Sequence, residues 1–193
     1  MSEAAGGIHG DNDTEPKHIT DTVNKRFGKK NVLVETNEGE TNITIKLKVE
    51  KGVGLTQENF DATIADIKRE WNISTEIDGH KFNVKTELLT VDTTVNPLAR
   101  GDLVIEPWFT VPKGYENYNG VNQGRKIWVN RGLKRRNGNV VLAARPTTAA
   151  HEFGHALGLG HQANSTKSIM SYYSGTRSLA NGTDLVRFAD AYR

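Results

Sequence analysis

The sequence contains no cysteine, which excludes a disulfide framework, a thiolate zinc site and a cysteine nucleophile. The fold of its 193 residues must therefore come from a hydrophobic core. A chain of this length buries roughly 70% of the surface that its unfolded state exposes, so such a core is attainable. Because a protein without cysteine is stable in oxidising and reducing surroundings alike, the absence does not indicate a compartment.

A strong charge of either sign and a long apolar run are missing too. Lys and Arg total 25 against 23 Asp and Glu, a net charge of +2, so we expect no nucleic-acid partner. No stretch approaches the ~20 apolar residues of a membrane span, and we expect none. The first residues lack the basic and then apolar pattern of a secretory signal. We therefore expect either a mature or excised fragment or a protein exported by another route.

Apolar residues are scarce at the beginning of the chain. Residues 1–18 are rich in Gly, Asp, Asn and Ala and offer little to bury, so they cannot offset the entropy cost of their own ordering. We predict a flexible or loosely packed N-terminal segment over residues 1–38. Residues 39–193 are then predicted to form a single domain.

Alternating apolar and polar residues predict two strands, over residues 41–50 and 80–91. Shorter apolar runs predict further strands at 101–109, 125–130 and 139–144. Because strands of this kind need a covering layer, the helical segments of the chain should pack against the sheet.

Helical periodicity occurs in three places. Apolar residues recur at spacings of three and four over residues 56–71, and Thr56 is a suitable N-cap. The helical period returns after residue 145, and residues 183–192 close the chain as a short helix. The sequence therefore predicts the α+β class, with a mixed sheet and helices packed against it.

Three of the six histidines lie within eleven positions, in "HEFGHALGLGH", residues 151–161. On a helix, His151 and His155 are four residues apart and point the same way, with Cβ atoms about 5–6 Å apart. Gly158 is suited to end that helix, because glycine adopts the left-handed conformation without penalty. The turn would bring His161 round as a third ligand to the same ion.

Three imidazoles without a fourth protein ligand predict an open, catalytic Zn²⁺ site with a water in the remaining position. The metal would lower the pKa of that water towards ~7. Glu152 lies one position after the first histidine, so it flanks the ion and is predicted to be the general base. The predicted metal ligands are thus His151, His155 and His161, and the predicted catalytic residue is Glu152.

This string matches in full the His-Glu-x-x-His-x-x-Gly-x-x-His motif, so the chain resembles the metzincin clan of zinc metallopeptidases. The segment "SIMSYY" is similar to the methionine turn of that clan, with Met170 nine residues after His161. In astacin-like and serralysin-like members, a tyrosine two places after this methionine reaches the metal or the reaction oxyanion. The resemblance therefore implies a catalytic role for Tyr172, with the adjacent Tyr173 as the alternative.

The resemblance also implies an architecture. A twisted mixed sheet and two long helices would lie above a zinc cleft, with a small lower subdomain that ends in a helix. Residues 39–193 would then be a single zinc metallopeptidase domain, and the strand at 125–130 would be the edge against which an extended substrate lies. Gln162, which follows the third histidine, matches no subfamily, and the lack of cysteine excludes a thiol latch.

The function that these residues favour is a zinc-dependent endopeptidase that uses a metal-activated water and a glutamate general base on a protein or peptide substrate. One alternative is a zinc hydrolase that acts on a non-peptide amide, such as a cell-wall crosslink. Another is an inactive, metal-containing peptide-binding module, although a binder has no need of Glu152.

The chain also resembles the metallopeptidase domains of bacterial secreted toxins and contact-delivered effectors. This resemblance implies a protein that is secreted or delivered out of the producing cell and has an inhibitor or immunity protein as partner. We expect a monomer.

Overall fold

A computed structural model describes residues 9–10, 22–116, 118–132, 134–136, 139–141, 146–163, 166–171, 178–179 and 183–193. In chain order, the strands are β1 His9–Gly10, β2 Val32–Asn37, β3 Glu40–Lys51, β4 Ile73–Ile77, β5 His80–Val91, β6 Leu103–Glu106, β7 Gly120–Gln123, β8 Lys126–Val129, β9 Lys134–Arg136 and β10 Asn139–Val141. The helices are α1 Gln57–Glu70, α2 Pro146–Ala156 and α3 Asp184–Tyr192.

The main sheet is mixed, as the sequence predicts. Its strand order is β1-β7-β8-β6-β3-β5-β4, and β2 also pairs with β3. The inner neighbours β5, β3, β6 and β8 are parallel, whereas β4, β7 and β1 pair antiparallel. With its few helices, this α+β architecture is that of the metzincin-like class that the motif implies.

The long strand β3 lies inside the sheet and buries an apolar stretch along one of its faces. Its four alternating apolar side chains are all buried, with at most 1% exposed: Ile43, Ile45, Leu47 and Val49. Helix α1 follows, and Thr56 caps it as predicted, because its hydroxyl accepts a hydrogen bond from the Asn59 amide at 3.2 Å. The strand and helix predictions for these segments are confirmed.

The prediction that the strand at 125–130 is an edge strand is wrong. Residues Lys126–Val129 form β8, which lies between β6 and β7 inside the sheet. The neighbouring strand β7 was missed because "GVNQ" carries a single large apolar residue, Val121, and so shows no alternation. The outer edge of β7 pairs with β1, antiparallel, with His9 opposite Asn122.

The N-terminal segment contributes two strands to the sheet, β1 and β2. β2 pairs antiparallel with β3, and Val32 is fully buried. The pattern does not predict β2, because "VLVETN" is short and its second half is polar. The predicted domain boundary therefore falls after it. The division at residue 38 itself stays a prediction.

Helices α1 and α2 are joined through a tryptophan that follows α1. The indole N–H of Trp71 donates to the carbonyl oxygen of Ala150 at 3.0 Å. Its ring meets the rings of Phe153 and Phe188 edge-on, with centroids 5.3 and 5.8 Å away. This cluster fixes α2 against α1 and α3. In the part of the chain that the structure describes, no helix has the length and apolar character needed to cross a membrane.

Candidate metal centre

Helix α2 and the turn after it bring three histidines together. The Nε2 atom of His155 lies 3.1 Å from Nε2 of His151 and 3.0 Å from Nε2 of His161. All three side chains are buried. Within the described residues, they form the one cluster of three potential metal-ligating side chains. The predicted ligand set is therefore assembled in the fold.

The turn that delivers the third histidine depends on Gly158. Its φ is +99°, a left-handed conformation that glycine adopts most readily. A side chain there would also collide with the carbonyl oxygen of Asn24, whose own amide donates to the Gly158 carbonyl at 2.9 Å. The helix therefore ends where the sequence predicts, and the N-terminal segment packs directly on the turn.

Backbone carbonyls set the tautomers of two of the imidazoles. His151 Nδ1 lies 2.8 Å from the carbonyl oxygen of Ile169, and His155 Nδ1 lies 2.9 Å from that of Leu159. A carbonyl oxygen only accepts, so in each ring Nδ1 carries the proton and donates. The Nε2 lone pairs of both rings therefore face the centre of the cluster, as metal-ligating histidines require.

This arrangement fits zinc. Neutral imidazoles with inward lone pairs about 3 Å apart repel each other unless a cation lies between them. At the usual Zn–N distance of about 2.0–2.1 Å, tetrahedral ligands lie roughly 3.3 Å from one another, close to the separations of the cluster. The donor set, its spacing and its burial are those of a three-histidine zinc centre.

The methionine turn lies directly beneath the helix. The sulfur of Met170 occupies the space where a side chain on Gly154 would begin. The Met170 carbonyl accepts a hydrogen bond from the amide of Gln162 at 3.0 Å, which ties the turn to the residue after His161. The turn also carries Ile169, whose carbonyl orients His151. It therefore supports two of the three histidines.

Asp184, the first residue of α3, holds this turn from the other side. Its carboxylate accepts a hydrogen bond from the Met170 amide at 3.2 Å and pairs with Arg187 at 3.1 Å. Burial raises the pKa of the Asp184 carboxyl, although hydrogen bonds from Ser168 and from the turn oppose this shift. The sequence pattern does not predict this role, because an acidic residue at the start of a helix is an ordinary cap.

Glu152 is completely buried on α2, one position after the first histidine. Its carboxylate lies against the backbone of β7 at Gly120, beside Thr148. The glutamate side chain therefore lies between α2 and β7, and its place beside a bound metal stays a prediction. Tyr172 and Tyr173 lie outside the described residues, so the role that the resemblance implies for Tyr172 stays a prediction.

The motif and the fold agree with a known family. The family model described as Matrixin matches residues 16–185. The chain belongs to the matrixin family. The metzincin resemblance is thereby confirmed, and so is the coarse function, because matrixins are zinc-dependent metallopeptidases. The motif did not predict this subfamily, because Gln162 after the third histidine matched none. No curated protein matches this matrixin significantly.

Proposed function

We propose that this matrixin is a zinc-dependent endopeptidase whose general base is Glu152. The observation that carries the proposal is the convergence of three histidines, in which Nε2 of His155 lies 3.1 and 3.0 Å from Nε2 of His151 and His161, with a buried carboxylate at the adjacent helix position. A structural zinc site would use a fourth protein ligand and would not need that carboxylate.

The three proposed ligands come from one helix and the turn that follows it. His151 and His155 hold the metal from one face of α2, and His161 holds it from the turn that Gly158 creates. When bound there, zinc supplies Lewis acidity, which lowers the pKa of a water to about 7 and polarises a carbonyl. The carbonyls of Ile169 and Leu159 keep the ligating nitrogens deprotonated and correctly aimed.

The role of Glu152 is proton transfer. Its carboxylate takes a proton from the attacking water and delivers it to the nitrogen of the leaving amine, so no covalent enzyme intermediate forms. Packing against Gly120 and Thr148 holds the group in one position and keeps bulk water away from it. Tyr172 is proposed, on the motif alone, to donate a hydrogen bond to the oxyanion that develops on the substrate carbonyl.

An extended protein or peptide segment is the proposed substrate. Its main chain would take the place of β1 at the outer edge of β7, the strand that also packs on Glu152. That edge accepts an antiparallel strand, because β1 pairs with it through His9 and Gly10 opposite Asn122 and Val121. This pairing favours a peptide substrate over a non-peptide amide, for which a usable edge strand is not needed. Delivery outside the producing cell stays a prediction.

Cleavage of unfolded casein tests the proposal. The zinc-loaded protein should cleave casein, lose activity when a chelator removes the metal, and regain it when zinc is restored. Loss of activity that zinc does not restore, or no cleavage by a protein that holds one equivalent of zinc, would contradict it. Release of fragments from purified cell wall without casein cleavage would favour the amide hydrolase instead.

A further inference from the structure

We infer that Gly120 is a positioning residue for Glu152: the absence of a side chain on β7 gives the catalytic carboxylate its place. The inference rests on the proposed function, in which Glu152 is the base. Gly120 follows Asn119 at the beginning of β7 and lies opposite Val129 of β8.

A side chain on Gly120 would overlap with the glutamate at two of its atoms. A Cβ atom on Gly120 would lie 2.6 Å from Glu152 Oε1 and 2.9 Å from its Cγ. It would also lie 2.6 Å from the methyl carbon of Thr148. Real Cβ atoms essentially never come within 3.0 Å of heavy atoms outside their own residue and its chain neighbours. Even alanine at position 120 therefore requires either the strand to move or the side chains of both Glu152 and Thr148 to move.

The strand is held more firmly than the side chain. Val121 and Asn122 are both fully buried, and Asn122 Nδ2 donates to the carbonyls of Gly124 and Lys126 at 3.1 Å each. The carboxylate, in contrast, is the far end of a flexible side chain with three rotatable bonds. A Cβ on Gly120 should therefore displace the Glu152 carboxylate, together with the Thr148 methyl group, rather than β7.

The zinc ligands should be spared by this displacement. Gly120 meets α2 at Thr148 and Glu152, whereas the imidazoles of His151 and His155 are anchored through Ile169 and Leu159. A substitution at position 120 should thus separate metal binding from turnover. Because the proton transfer and not the substrate contact is affected, kcat should fall while KM changes little.

Gly120→Ala is the first test. We expect a full equivalent of zinc and a kcat for casein or a peptide about 10- to 10³-fold below that of the parent, with KM little changed. Gly101→Ala is the matched control. A Cβ there would overlap equally, at 2.7 Å from Glu50 Cβ and 2.8 Å from the Leu103 carbonyl, but not with Glu152. Gly101→Ala should lower the free energy of unfolding. Its kcat per zinc-loaded molecule should equal that of the parent.

A double-variant comparison decides whether Gly120 acts through Glu152. Gly120→Ala should lower the residual rate of Glu152→Ala by less than twofold, because the displaced group is already absent. A loss as large as in the parent, or a rise in KM with unchanged kcat, would overturn the inference. If Gly120→Ala does not fold, the same comparison is made in a Thr148→Ser background, which removes the methyl overlap and keeps the carboxylate overlap. Full activity of Glu152→Ala alone would instead refute the proposed base.

Discussion

The phenol oxygen of Tyr192 lies 2.8 Å from the carbonyl oxygen of Leu157, a residue of the turn between the second and third histidines. The same oxygen accepts a hydrogen bond from the Arg26 amide at 3.1 Å. The last helix thereby joins the turn to the N-terminal segment, whose Asn24 contacts Gly158. The metal-ligand turn is thus braced by both ends of the chain, although neither end carries a ligand.

Tyr192→Phe should therefore reduce the free energy of unfolding. The variant keeps the ring packing but leaves the Leu157 carbonyl without the phenol donor, at a cost of about 1–3 kcal/mol. Urea unfolding of the zinc-loaded proteins measures this difference. Zinc stoichiometry should stay at that of the parent, since no ligand or ligand partner is changed. An unchanged free energy of unfolding would show that the bridge does not brace the turn.

Acid should remove the metal. Ligating histidines must be neutral, and free histidine has a pKa of about 6.5, so protons compete with zinc as the pH falls. We expect zinc occupancy and activity to decline together below about pH 6. Elemental analysis after equilibration and gel filtration at each pH gives the occupancy. Full occupancy at pH 4 would be inconsistent with a site of three imidazoles.

Asp184→Asn should change how stability depends on pH. Burial raises the pKa of the Asp184 carboxyl in the folded protein. Its neutral form therefore stabilises the fold fully below about pH 4, and this contribution is lost as the pH rises through the folded-state pKa. Asparagine cannot ionise, so the variant should gain stability relative to the parent between pH 4 and 7. Urea unfolding of both proteins at each pH checks this, and a pH-independent difference would contradict it.

The β7 edge can be tested through the strand that pairs with it. Proline at positions 9 and 10 removes two backbone N–H donors from β1 and should weaken its pairing with Asn122 and Val121. If substrate pairs with this edge, it competes with β1 for β7. Weaker pairing of β1 in His9→Pro/Gly10→Pro should therefore lower KM and leave kcat unchanged. Gly6→Pro/Gly7→Pro, just before the paired residues, is the control. Equal KM values in all three proteins would argue against substrate pairing at β7.

The metal centre could be predicted from the sequence because its geometry is local. His151, His155 and Gly158 lie within eight residues of one another, so helix periodicity and one left-handed turn fix their relation. The alternating pattern of β3 and the Thr56 cap are local signals of the same kind. Each of these features depends only on residues that are close together in the sequence.

The sheet edge could not be predicted, because it depends on distant partners. β7 is short and polar, and its identity as the strand outside β8 follows only from pairing across the sheet. The contact between Gly120 and Glu152 joins residues 32 positions apart and leaves no periodic signal. Asp184 likewise looks like a helix cap until the fold places it against Met170.

The central claim is that Glu152 transfers the proton and does not hold the metal. The most direct measurement is the zinc content and the initial rate of casein cleavage of Glu152→Ala beside the parent, with His155→Ala as the control that removes a ligand. The account predicts that Glu152→Ala keeps one zinc per chain and loses about 10²–10⁴-fold in rate, while His155→Ala loses the zinc itself. Cleavage by Glu152→Ala at the parent rate, or loss of its zinc, would contradict the account.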